Sequence, residues 1–156
     1  MTIKEKIDNW LNESKTDLIK NYDRLGLRAS GQWANDLETK QSATGNGYKI
    51  TISGSKYSGV LESGRKPNTN QSGLKAWVGW AGSTFLKDWV KRKGINASPY
   101  AIAWKIAREG IKVPNQYNAG GLVTDVMTKG RFNKLMKDIG MIILTDVKSD
   151  VIKQFK

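Results

Sequence analysis

The spacing of apolar residues changes period twice along this chain, and that change restricts the fold more than any other feature. In the first 25 residues, Ile3, Ile7, Trp10, Leu11, Leu18, Tyr22 and Leu25 recur three or four positions apart. That is the spacing of one helix face. Thr2 and Glu5 fit the reciprocal capping box of a helix start, and Gly26 suits its end. A shorter helix is expected over residues 30–37, where Trp33 and Leu37 lie about one turn apart.

The period then falls to two. Tyr48, Ile50 and Ile52 alternate with Lys49 and Thr51, as in a strand with one covered face. Residues 37–43 can pair with them across Thr44-Gly45-Asn46-Gly47, and Asn-Gly is a strong hairpin signal. Tyr57 to Leu61 reads as a third strand or a turn. Helical spacing returns in Leu74, Trp77, Val78, Ala81, Phe85 and Trp89. Gly79 and Gly82 weaken that helix by about 1 kcal/mol each, so a kink or split is expected near Gly82, with Gly94 closing the segment. Ser98 as N-cap and Pro99 at the first helical position open another helix that runs to Gly110. Residues 111–121 read as an irregular loop, and Leu122 to Met127 as a short strand or helical turn. A last helix over about 131–155 places Phe132, Leu135, Ile139, Ile142, Ile143, Val147, Val151 and Phe155 on one face.

Strands segregated from helices argue an α+β fold. The expected architecture is a small antiparallel sheet, a hairpin plus a third strand. It packs with a long N-terminal helix, two or three middle helices and a long C-terminal amphipathic helix. With 156 residues the chain suits a single domain over 1–156, with a polar loop at 66–73 and a helical insertion at 74–114.

Composition restricts the chemistry. The chain has no His and no Cys, which removes imidazole bases, thiol nucleophiles, zinc sites and disulfides. The 14 acidic residues are scattered, whereas an oxygen-ligand metal site needs them clustered. No metal, cofactor or catalytic residue is expected, and the chain reads as a non-enzyme. Its 26 Lys and Arg give a net charge of +12, which attracts polyanions or acidic protein faces. No apolar run reaches the roughly 18 residues of a membrane span, and the mixed-charge start lacks a signal-peptide core.

Two regions stand out. From Lys87 to Lys112 the cations are Lys87, Lys91, Arg92, Lys93, Lys105, Arg108 and Lys112, interleaved with Trp89, Tyr100 and Trp104. They suit polyanion contact, with rings as stacking platforms. The alternative is core aromatics beneath a solvated helix face, with the cations at 91–93 answering the helix dipole. The second region is Glu62-Ser63-Gly64-Arg65-Lys66-Pro67. Glu62, Gly64, Arg65 and Lys66 are candidates for a subunit contact. The bland reading is a turn in which Gly64 supplies a special dihedral and Arg65 pairs with Glu62. Trp80 departs from the face set by residues 74, 77, 78 and 81, and joins the candidates as an exposed interface anchor.

The order of pieces resembles a known family. Ala29-Ser30-Gly31-Gln32-Trp33-Ala34 with Leu37 follows an amphipathic helix. The strand Tyr48 to Ile52 comes next, then Tyr57-Ser58-Gly59-Val60-Leu61-Glu62-Ser63-Gly64-Arg65. Gly120-Gly121-Leu122-Val123-Thr124-Asp125-Val126 leads into the last helix. This arrangement is similar to the neck and tail-completion proteins of tailed phages, also called minor tail or head–tail joining proteins. The stretch Lys66 to Pro114 looks like the elaboration seen in phages of gut bacteria. The resemblance implies an α+β ring subunit, made in the host cytoplasm and built into the virion. Its partners would be copies of itself, the portal or adaptor, and tail proteins, with passing DNA met non-specifically. The rival expectation is a basic nucleic-acid-binding protein.

Overall fold

The computed structural model describes residues 1–68 and 71–154. The first helix, α1 (Ile3–Arg24), begins in the expected capping box. The Thr2 amide donates to Glu5 Oε2 at 2.7 Å, and the Glu5 amide donates to Thr2 Oγ1 at 3.2 Å. Gly26, at φ 66°, closes it, because a left-handed residue lets the chain turn back on the last carbonyls. After α2 (Gln32–Asn35), β1 (Glu38–Thr44) pairs antiparallel with β2 (Gly47–Ser53). Thr44 faces Gly47, so the connecting pair is Gly45-Asn46 rather than Asn46-Gly47. Gly47 stands first in β2 at φ 148°. Glycine is required just after the turn, not inside it.

Tyr57 to Leu61, expected as a third strand or a turn, belongs largely to a helix, α3 (Ser58–Ser63). The Ser58 amide and hydroxyl both donate to Ser55 O, at 3.0 and 2.7 Å. This local turn draws the chain into a helical path before it can reach the hairpin. The hairpin sheet therefore has two strands. A second two-stranded sheet joins β3 (Gly64–Arg65) to β4 (Ile111–Lys112).

The expected middle helix is two, α4 (Gln71–Ser83) and α5 (Phe85–Lys93). The split falls at Thr84, two residues past Gly82. There Thr84 Oγ1 donates to Trp80 O at 2.6 Å and Ser83 Oγ to Gly79 O at 2.7 Å. Hydroxyls thus satisfy the carbonyls that end α4. Gly82 remains helical, and the Tyr100 ring lies where its Cβ would be, at 2.5 Å. The polar loop is shorter than expected: α4 already includes Gln71 to Gly73, and Thr69 and Asn70 lie outside the described residues. Next come α6 (Pro99–Glu109) and, after the helical turn 122–127, α7 (Lys129–Gln154). Ser98 makes no side-chain cap, so the start of α6 rests on Pro99. Seven helices and two small antiparallel sheets among the described residues make the fold α+β.

The chain forms two compact units. One comprises Met1–Asn21, Leu37–Ser53 and the chain from Gly121. Its core is Ile7, Trp10, Leu11 and Leu135, against which Ile3, Ile50, Ile52, Met127 and Ile139 pack. Trp10 and Phe132 pack with tilted rings, centres 5.3 Å apart. Polar links hold α7 to α1. Arg131 donates through Nε to the buried Ser14 hydroxyl at 3.0 Å and through Nη2 to Asp17 at 2.8 Å, and Lys6 pairs with Asp138 at 2.7 Å.

The other unit comprises Tyr22–Asp36 and Gly54–Gly120. Val78, Ala81, Leu86, Ala103 and Ala107 are buried at its centre, with Leu74, Trp77, Phe85, Trp89, Ile102 and Ile106 around them. The three alanines are fully covered. Small side chains there let α4 and α6 approach closely. Tyr22 and Trp33 stack at 4.7 Å, and Trp33 Nε1 donates to Ser58 Oγ at 2.9 Å.

Candidate functional site

The segment 62–67 is built around a short ladder. Gly64 sits at φ 84°, and a Cβ there would meet Ile111 O at 2.0 Å. Gly110, at φ 73°, is its counterpart: a Cβ would meet Arg65 O at 2.2 Å. Both glycines are demanded by backbone approach. Arg65 reaches beyond the segment. Its guanidinium lies 4.1 Å from the centre of the Trp77 ring and donates to Asn68 Oδ1 at 2.7 Å. The Asn68 amide in turn donates to Ala107 O at 2.8 Å, tying the segment to α6. Arg65 is half-buried in this arrangement, as is Glu62, while Lys66 is exposed.

Trp80 is 58% exposed, on the flank of α4 away from its core face. It walls an open hollow of about 620 Å3 at the α4–α5 corner, lined also by Ser83, Thr84, Phe85, Lys87 and Asp88.

The basic block divides by element. Lys87, Lys91 and Arg92 are exposed on α5, Lys105 and Arg108 on α6, and Lys112 on β4. Lys93 is half-buried and donates to Gly26 O at 2.6 Å, so it serves the fold. The interleaved rings divide too. Trp89 packs on the core, whereas Tyr100 and Trp104 are 48% and 41% exposed.

One surface had no place among the sequence candidates. On α7, Leu135 is buried and Ile139 half-buried, but Phe132, Met136, Met141, Ile143, Leu144 and Val147 are exposed. Leu144 is 71% exposed. The amphipathic pattern revealed an apolar stripe, and the sequence offered no sign that its distal half lacks a cover. Phe155 and the Val151 side chain lie outside the described residues.

Caps and ion pairs lower the pKa of several carboxylates. A hydrogen bond from Arg28 holds Asp23 below its ordinary range, Lys40 does so for Glu38 and Lys6 for Asp138, and the Thr2 amide lowers Glu5. Among the described residues, no three His, Cys, Asp or Glu side chains group as metal ligands, and no helix is long and apolar enough to cross a membrane. No protein-family model, curated protein or solved structure matches this chain.

Proposed function

We propose that this chain is a non-enzymatic virion structural protein: a ring-forming neck or tail-completion subunit that joins head and tail in a tailed phage. The observation that carries this reading is the set of exposed apolar side chains on α7. Phe132, Met136, Met141, Ile143, Leu144 and Val147 are all more than two-fifths exposed on one helix. Covering such surface contributes about 25 cal/mol per Å2, and exposed apolar surface of this extent is a candidate for protein contact.

Charge favours a second copy as one occupant. From Met136 to Asp150 the charges are Lys137 and Lys148 against Asp138, Asp146 and Asp150, within a chain of net charge +12. Copies can meet there without the like-charge repulsion that the cationic remainder would impose. Head-to-tail contacts repeated about an axis close a ring. On the other unit, exposed Lys66 and Trp80 are separate candidates for subunit contact. Portal, adaptor or tail proteins of the same particle are the further partners of this reading.

Mass spectrometry of purified particles encoded with this chain tests the proposal. The protein is expected as a stoichiometric virion component, and its absence would sink the reading. Replacing Ile143 and Leu144 with Glu is expected to leave the fold intact and yield heads and tails that fail to join. Normal infectious particles from that variant would remove α7 from the contact.

A further inference from the structure

We propose that the exposed flank of α6 is a binding platform for single-stranded nucleic acid. Tyr100 and Trp104 would stack on bases, while Lys105 and Arg108 would meet phosphates. Tyr100, Trp104 and Arg108 stand four residues apart in turn, so they share one stripe of the helix. All three are exposed. The proposal is independent of the role assigned to α7, since it uses a different unit and different residues.

The central core does not use these rings. The inner face of α6 is closed by Ala103 and Ala107, both fully buried, with Ile102 and Ile106 beside them. The core is complete with alanine where rings were available, and the two large aromatics stay outside. Trp89, by contrast, packs on that core. The aromatic residues of the basic block are thus sorted into one structural ring and two displayed ones.

Tyr100 is also held in place. Gly82 of α4 leaves room for its ring, which passes 2.5 Å from the position of a Cβ there. The ring still keeps 48% of its surface open. A ring fixed on one side and open on the other loses little freedom when a base stacks on it. The electrostatics agree. The unit formed by residues 22–36 and 54–120 has thirteen Lys and Arg against five Asp and Glu, a net +8 of the chain's +12. Planar groups joined by anionic linkers answer both properties, and stacking on aromatic faces tolerates any base sequence. Duplex DNA hides its base faces and would use the charge alone.

Fluorescence anisotropy of the full chain with a labelled 20-mer of oligodeoxythymidylate tests this. Binding is expected at low salt and should weaken with a log–log slope of about −0.7 per phosphate contacted. Trp104→Ala and Tyr100→Ala should each weaken it by roughly 5- to 150-fold, the value of one stacked base. Trp104→Phe should retain most of the affinity. Lys105→Ala and Arg108→Ala should each make the salt slope shallower by about 0.7. Thermal unfolding serves as the folding control. Should Tyr100→Ala unfold the chain, Trp104→Ala beside Trp104→Phe decides alone. Wild-type affinity in Trp104→Ala would overturn the platform, as would equal binding of a 20-base-pair duplex. Displacement of the oligonucleotide by poly-glutamate at equal charge concentration would also overturn it, in favour of an acidic protein partner.

Discussion

The two terminal helices have the same signature in sequence and opposite fates in the structure. In α1, Ile7, Trp10, Leu11, Leu18 and Tyr22 are all buried. In α7, Leu135 is buried, but Ile143, Leu144 and Val147 are 48%, 71% and 54% exposed. An apolar stripe states that a helix has a face to cover. It does not state what covers it. The 26 residues of α7 reach about 39 Å at 1.5 Å per residue. Its first turns pack on α1 and the hairpin's Ile50 and Ile52 through one core. That core does not include the distal turns, from which the proposed intersubunit contact is built.

The contrast is open to attack first through the buried side. Leu11→Ala should cost about 2–5 kcal/mol, as removal of a covered leucine does, read as a lower urea midpoint. Leu144→Ala should stay within roughly 0.5 kcal/mol in dilute solution, as exposed positions do. A comparable loss in both would erase the difference between the helices. An intermediate effect is expected where α7 is fastened. Arg131→Met removes the donors to Ser14 and Asp17 and leaves the buried Ser14 hydroxyl without this partner. The expected loss is about 1–2 kcal/mol. A neutral result would shift the anchoring of α7 to Leu135 and its apolar neighbours.

The smallest effect is on pH dependence. Lys6 holds Asp138 below the ordinary carboxylate range, chiefly through its hydrogen bond. A depressed folded-state pKa stabilises the fold above the unfolded value of about 3.9 and loses that contribution as pH falls through the folded one. Asp138→Asn should therefore flatten the fall in urea midpoint below about pH 4, with Lys6→Met behaving alike. An unchanged acid limb in both variants would show that this pair does not help to hold α7.

Local signals were legible where they were local in cause. Thr2 and Glu5 cap α1 because the atoms concerned are three residues apart. Gly26 and Gly94 end helices in the left-handed conformation that their neighbours impose. Signals with a distant cause were misread or missed. Gly82 read as a helix breaker, yet its function is room for Tyr100, eighteen positions away. Gly64 has the special dihedral that was expected of it, but the Ile111 carbonyl that crowds it was not visible in the sequence. The contact of Arg65 with Trp77, twelve positions on, had no sign in the local sequence. Tyr57 to Leu61 read as a third strand or a turn, and the Ser55 carbonyl turned the segment into a helix.

By itself, then, the sequence determined the identity and order of most helices, the hairpin, the excess of positive charge and the lack of His and Cys. Each follows from residue type and spacing within a few turns of chain, where steric and capping effects act. Only the tertiary structure decided which apolar residues are covered. Trp89 and Trp104 lie in the same basic block, and one packs on the core while the other faces outward. Leu135 and Leu144 lie on the same helix, and one is buried while the other is bare. Burial depends on what else occupies the space beside a residue. Periodicity along one helix carries no information about that space.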